Sequence, residues 1–131
     1  MTARVTLSVM AAFWILAGLV GLIVPAQYMS SFGLAAPTEA IIAVRDGGVV
    51  LIGLGIMTWL VRGAVGTTLR GVLWGNIFIL VADAALNIWE MIVGTAPAGP
   101  WIGSFAFSAL LVLMLALRFR EAGGAIPQRR G

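Results

Sequence analysis

Between Arg4 and Pro25 the chain runs for twenty residues, Val5 to Val24, without a single charge. At about 1.5 Å of rise per residue, a helix of that length covers roughly 30 Å, the thickness of a bilayer's hydrocarbon core. Three further runs have the same character. They cover residues 39–61, 71–93 and 101–117, the last being the shortest at seventeen residues. Thr38 follows Pro37 as a candidate N-cap for the second run, and Arg62 closes it. With 61% hydrophobic and 10% charged residues, a water-soluble fold would lack the polar side chains to cover its own surface. The expected fold is all-α: an integral membrane four-helix bundle with short loops. Residues 1–120 form one four-span domain, and residues 121–131, rich in Gly, Pro and Arg, form a disordered tail. The rival for the first run is a cleaved signal peptide. Twenty apolar residues exceed the usual core of about 7–15, and no convincing small-x-small cleavage site follows.

The arginines orient the spans. With four crossings, Arg4, Arg62, Arg70, Arg118, Arg120, Arg129 and Arg130 all fall on one side, while residues 25–37 and 94–100 on the other side carry no basic residue. Seven against none places both termini in the cytoplasm by the positive-inside bias, with an inner membrane as the expected location. The first outer loop, from Gln27 to Leu34, mixes aromatic and small polar residues and is expected as a short amphipathic turn or helix at the interface. Trp59, Trp89 and Trp101 stand near span ends, where an indole suits the headgroup layer.

Cysteine, histidine and lysine are absent, so all eight basic residues are arginine. Disulfides, thiolate nucleophiles, Cys/His zinc sites, histidine-ligated haem and imidazole acid–base chemistry are thereby excluded. No metal site and no cofactor-binding motif is expected. The net charge of +3 is no nucleic-acid signal, because the arginines sit at helix ends.

Small residues recur on the first two spans: Ala11, Gly18 and Gly21 on one, Gly47, Gly48, Gly53 and Gly55 on the other. In lipid, apolar side chains gain little by touching each other rather than acyl chains, so backbone approach at small residues supplies the contact energy. Helix packing is their expected role, with room for a ligand or a hinge as the alternative.

The third span carries the informative polar pattern. Asn76, Asp83, Asn87 and Glu90 are spaced by seven, four and three residues. At about 100° per residue they share an arc of roughly 60°, one polar stripe on an apolar helix. Such a stripe must face the bundle interior, a cavity or a partner. Arg45 and Asp46 lie inside the second span. Arg45 is seventeen residues from Arg62, as Asn87 is from Arg70, so each stands roughly 25 Å above the arginine end. If the two helices are neighbours, as a short connection favours, Arg45 pairs with Asp83 or Glu90, with Asn87 between them. Two roles stand side by side for this cluster: a polar network that fixes helix register, or a binding or transport site near the outer face.

Leu16-Ala17-Gly18-Leu19-Val20-Gly21-Leu22-Ile23-Val24-Pro25 ends the first span, and Phe32-Gly33-Leu34 follows. Arg45-Asp46-Gly47-Gly48 and Leu51-Ile52-Gly53-Leu54-Gly55 come next, in the second span. This order resembles small bacterial four-helix membrane proteins of the DoxX-like kind and related uncharacterised families, in which an arginine followed by glycines likewise opens the second span. The resemblance covers nearly the whole chain and implies a four-helix bundle. Some DoxX members are described as membrane subunits of quinone-linked sulfur-oxidising complexes.

The leading functional expectation is a non-enzymatic accessory subunit or small-ligand binder, with Arg45, Asp46, Asn76, Asp83, Asn87 and Glu90 as candidate site residues. Its partners are the lipid bilayer and either a homo-oligomer or a larger membrane complex. Two alternatives belong to other classes. One is a proton-coupled transporter acting as an oligomer, with Asp83 or Glu90 carrying the proton. The other is the membrane component of a quinone-linked or lipid-modifying enzyme, relying on carboxylates and Arg45 for acid–base chemistry. Small multidrug exporters rely on a carboxylate in the first span, which here is uncharged, and fluoride channels match only in length.

Overall fold

The computed structural model describes residues 2–94, 97, 99 and 101–123, with the side chain of Trp101 left aside. Six helical segments follow one another: α1 (Ala3–Ile23), α2 (Pro25–Ser31), α3 (Thr38–Leu60), α4 (Gly66–Ile92), α5 (Trp101–Ala116) and α6 (Phe119–Gly123). Four are long and apolar enough to cross a membrane: α1, α3, α4, and α5 continued by α6. The chain is thus an all-helical multi-pass membrane protein. Glu121, Ala122 and Gly123, expected in the tail, belong instead to α6, where Ala122 is buried. Residues 124–131 of that tail lie outside the described residues.

α1 starts at Thr2, whose hydroxyl accepts from the Val5 amide at 3.4 Å. The Glu121 carboxylate accepts from the Ala3 amide at 2.7 Å, placing an anion on the positive end of the helix dipole. Glu121 also pairs with Arg118 at 3.1 Å, so α6 is tied to the first turn of α1. At the far end Pro25 stops α1, because it lacks an amide hydrogen and disfavours helical geometry at the residue before it. The same proline then opens α2 at a first-turn position, where it costs nothing. α2 closes with Gly33 at φ +72°. The Gly33 amide donates to the Ser30 carbonyl at 3.0 Å and the Leu34 amide to Met29 at 3.1 Å, a Schellman ending. The expected interfacial segment is therefore a defined helix. At α3, Pro37 rather than Thr38 holds the cap position, and no side chain caps it.

α3 lies antiparallel along α1, and glycine makes this possible. A methyl group on Gly18 would lie 2.5 Å from the Gly48 carbonyl oxygen, one on Gly48 2.6 Å from that of Gly18, and one on Gly55 2.8 Å from that of Ala11. Backbone therefore packs on backbone at several levels, which maximises dispersion contact where lipid offers no hydrophobic drive. Of the glycines named in the sequence, Gly18, Gly21, Gly48 and Gly55 face this seam, whereas Gly47 and Gly53 border open space.

The α1–α3 pairing overturns one expectation. A short connection suggested that α3 and α4 are neighbours, but α4 instead packs against α5 and α6. The glycine seam outcompetes chain proximity. The core occupies the half of the bundle nearest the arginines: Leu7 and Met10 of α1, Leu69, Leu73 and Ile77 of α4, and Leu111 and Leu115 of α5. The other half is less completely filled.

Candidate functional site

Above that core, a cavity of about 390 Å³ opens between the helices. Its floor is set by Trp14, whose indole Nε1 donates to Asn76 Oδ1 at 2.7 Å. Asn76 in turn donates through Nδ2 to the Val72 carbonyl at 2.9 Å. Both partners are buried, Trp14 at 5% and Asn76 at 3% exposure, so the bond satisfies groups that would otherwise be stranded in a dry interior. Asn76 thus latches α4 to α1 at mid-span.

Aromatic rings form the walls. Phe13 comes from α1, Phe107 from α5, and Tyr28 and Phe32 from α2. Phe13 stands 5.4 Å from Phe107 and 4.8 Å from Trp14 between ring centroids, and Tyr28 meets Phe32 edge-on at 5.3 Å. Tyr28 and Phe32 are one helical turn apart, so the fold-back at Pro25 brings both to the cavity mouth.

Polar groups enter from α4 and α5. Asp83 lines the cavity, as do Ser104 and Ser108, which share one face of α5 at a spacing of four. Asn87 donates through Nδ2 to Asp83 Oδ2 at 3.1 Å and is itself buried at 8% exposure. Glu90, half-buried, lies on the next turn of the same stripe. Partial burial and the nearby Asp83 carboxylate, in that order, raise the Tyr28 hydroxyl above its ordinary value of 10.0. Tyr28 therefore presents a neutral O–H at physiological pH.

The four stripe residues share one face of α4, as their spacing required. Arg45 and Asp46 do not join them. Both are exposed on α3, and among the described residues Arg45 forms no ion pair. The expected Arg45–Asp83 or Arg45–Glu90 pair is therefore not formed, because α3 follows α1 rather than α4. Asn87 bonds Asp83 directly instead of bridging to an arginine.

Sequence reasoning missed the aromatic walls and the two serines. A tryptophan at mid-span, away from the headgroup layer where indoles collect, was the available signal for Trp14. The i,i+4 serines of α5 were the other. Larger grooves exist outside the bundle. One of 540 Å³ runs between α4 and α5, walled by apolar side chains and Ser108, and one of 450 Å³ between α1 and α3, walled by apolar side chains alone; neither is lined by a charge. Among the described residues, no three acidic side chains converge as a metal site would require.

Fold and site together define a multi-pass helical membrane protein with an aromatic cavity beside an intramembrane carboxylate. Comparison with family models, curated proteins and solved structures finds no match.

Proposed function

We propose that the chain is a bacterial inner-membrane protein, with cytoplasmic termini, that binds a small amphiphilic molecule in the cavity beside Asp83. The single observation that carries this is the composition of the cavity: aromatic walls on several sides and one carboxylate. Among the described residues no basic side chain contacts that carboxylate. Ligand sites are typically concave and mostly apolar, with a few convergent polar groups, and about 300–1,000 Å³ in volume. Aromatic faces attract cations, and a carboxylate accepts only from a donor or a positive charge. The fitting ligand class is therefore a small organic cation with an apolar body, with Ser104, Ser108 and Tyr28 offering hydroxyls to its polar edge.

The test uses the purified protein in lipid nanodiscs and two probes of the same shape, benzyltrimethylammonium and neopentylbenzene. Trp14 borders the cavity and reports occupancy through its fluorescence. The cation is expected to bind saturably and to lose about tenfold or more in affinity in Asp83→Asn, the scale of one partly desolvated charge–charge contact. The neutral isostere is expected to be indifferent to that change. Equal binding of the cation by wild type and Asp83→Asn would refute the assignment.

A second reading has its own observation. Asp83, Asn87 and Glu90 form a ladder from the cavity toward the arginine-free end of α4, and intramembrane carboxylates often mark proton paths. Proton-coupled transport of the same ligand would follow. In proteoliposomes it predicts ligand uptake driven by a pH gradient in wild type and abolished in Asp83→Asn. Binding without gradient-driven uptake would leave a ligand-binding subunit.

A further inference from the structure

α3 carries a second feature that the cavity does not use. One side packs on α1 through Gly48, Ile52 and Gly55. Part of the remaining circumference, where Arg45, Asp46, Val49 and Ile56 stand, is exposed, yet it carries two charges inside a membrane span. Arg45 and Asp46 are both exposed, about two turns in from the start of α3 at Thr38. Neither forms an ion pair among the described residues. Charges at such a depth are expensive against lipid and are normally paired or turned toward protein.

The surrounding residues show a pattern. Ile42, Asp46, Val49, Gly53, Ile56 and Leu60 recur at spacings of four, three, four, three and four, the alternation of a coiled-coil seam. The large apolar members of this row are open, with Ile42 54%, Val49 56% and Leu60 74% exposed. A methyl group on Gly53 would meet nothing within 4 Å, so the chain's own packing does not require glycine there. Glu39 continues the row at the aqueous end, where water and salt screen its charge.

Adjacent charges of opposite sign make this row self-complementary. In a parallel helix pair, a core side chain at the a position, as Asp46 is here (four after Ile42, three before Val49), inserts into a hole on the facing helix bordered in part by the residue just before the equivalent position. For Asp46 that residue is the other copy's Arg45. A two-fold axis along the membrane normal keeps both copies in the same orientation and puts equal residues at equal depth. We propose that this row of α3 joins two copies of the chain, with each Asp46 paired to the Arg45 of the other. Two reciprocal pairs then neutralise four charges within the membrane. The absent side chain at Gly53 lets the two helices approach.

The chain has no cysteine, so single cysteines report contacts without background. Val49→Cys and Ile56→Cys sit on the row, while Phe78→Cys sits on the exposed side of α4, at 70% exposure. A disulfide forms only where Cα atoms come within about 7 Å. Oxidative cross-linking in native membranes is expected to give a covalent dimer at positions 49 and 56 and not at 78. In the Ile56→Cys background, Arg45→Asp alone or Asp46→Arg alone is expected to cut dimer yield at least tenfold at equal membrane levels. The exchange of both, R45D with D46R, is expected to restore it to within about twofold. That restoration separates lost pairing from misfolding. Cross-linking at 49 and 56 no stronger than at 78 would overturn the proposal and leave both charges reaching for headgroups. Dimer yield indifferent to the single charge reversals, or not restored by the exchange, would overturn it equally.

Discussion

Gly48 and Gly47 are neighbours in sequence and opposites in structure, and an alanine at each tests the helix seam directly. At Gly48 the new methyl would lie 2.6 Å from the Gly18 carbonyl oxygen, against about 3.4 Å for ordinary contact, and 3.0 Å from the Leu22 amide nitrogen. Both obstacles are backbone and cannot rotate aside. α1 and α3 must part by about 0.8 Å at this level (3.4 minus 2.6). A gap of that size forfeits a quarter to a half of the dispersion energy at each contact it opens. Overpacking of this kind costs about 1–3 kcal/mol, from which the better helix propensity of alanine recovers up to about 1 kcal/mol. At Gly47 nothing lies within 4 Å of the added methyl, so only the propensity gain remains. The propensity gain is common to both, so adjacent alanines should differ by the overpacking cost, about 1–3 kcal/mol, with Gly48→Ala destabilising and Gly47→Ala neutral or mildly stabilising. SDS-driven unfolding in mixed micelles, followed by the fluorescence of the five tryptophans, measures both. Equal midpoints for the two variants would refute the backbone-contact seam.

Asn76→Leu removes the acceptor for the Trp14 indole and should cost about 1–2 kcal/mol, the upper range for a hydrogen bond between membrane helices. Trp14→Phe should then add less in the Asn76→Leu background than in wild type, and a double-mutant cycle showing no coupling would count against the latch. The chain's single tyrosine makes Tyr28 directly observable: tyrosinate absorbance at 295 nm should rise with a midpoint above 10, and Asp83→Asn should lower that midpoint only in part, since burial is the larger cause. The sign for stability follows, because the folded chain holds the phenolic proton to higher pH than the unfolded chain. The Tyr28 contribution is constant below the unfolded value near 10 and destabilises the fold as pH rises above it. Glu121→Ala should cost about 1 kcal/mol by removing the carboxylate from the first turn of α1. Faster amide exchange at Ala3 than in wild type would register that loss, and unchanged exchange would exclude the capping role.

How much of this was legible beforehand differs between the fold and the site. The four spans were readable because a bilayer imposes a length and a polarity that no other solvent demands, and charges and prolines mark where each apolar run stops. The polar stripe of α4 was readable for a related reason: helical periodicity places Asn76, Asp83, Asn87 and Glu90 on one face whatever surrounds the helix. The stop of α1 before Pro25 was readable too, whereas the helix expected somewhere within Gln27–Leu34 begins earlier, at Pro25 itself, and ends at Ser31.

Which helix lies beside which was not readable. Chain proximity favoured α3 beside α4, and with it an Arg45–Asp83 pair. The tertiary structure instead sets α3 against α1, because glycines on facing stripes allow two backbones to meet and lipid rewards that contact above any other. From that one choice follow the empty space beside Asp83, the aromatic walls drawn from α1, α2 and α5, and the exposure of Arg45 and Asp46 on α3. Periodicity is a property of one helix and survives in the sequence. Adjacency depends on the match between two surfaces, and only the assembled bundle reveals it.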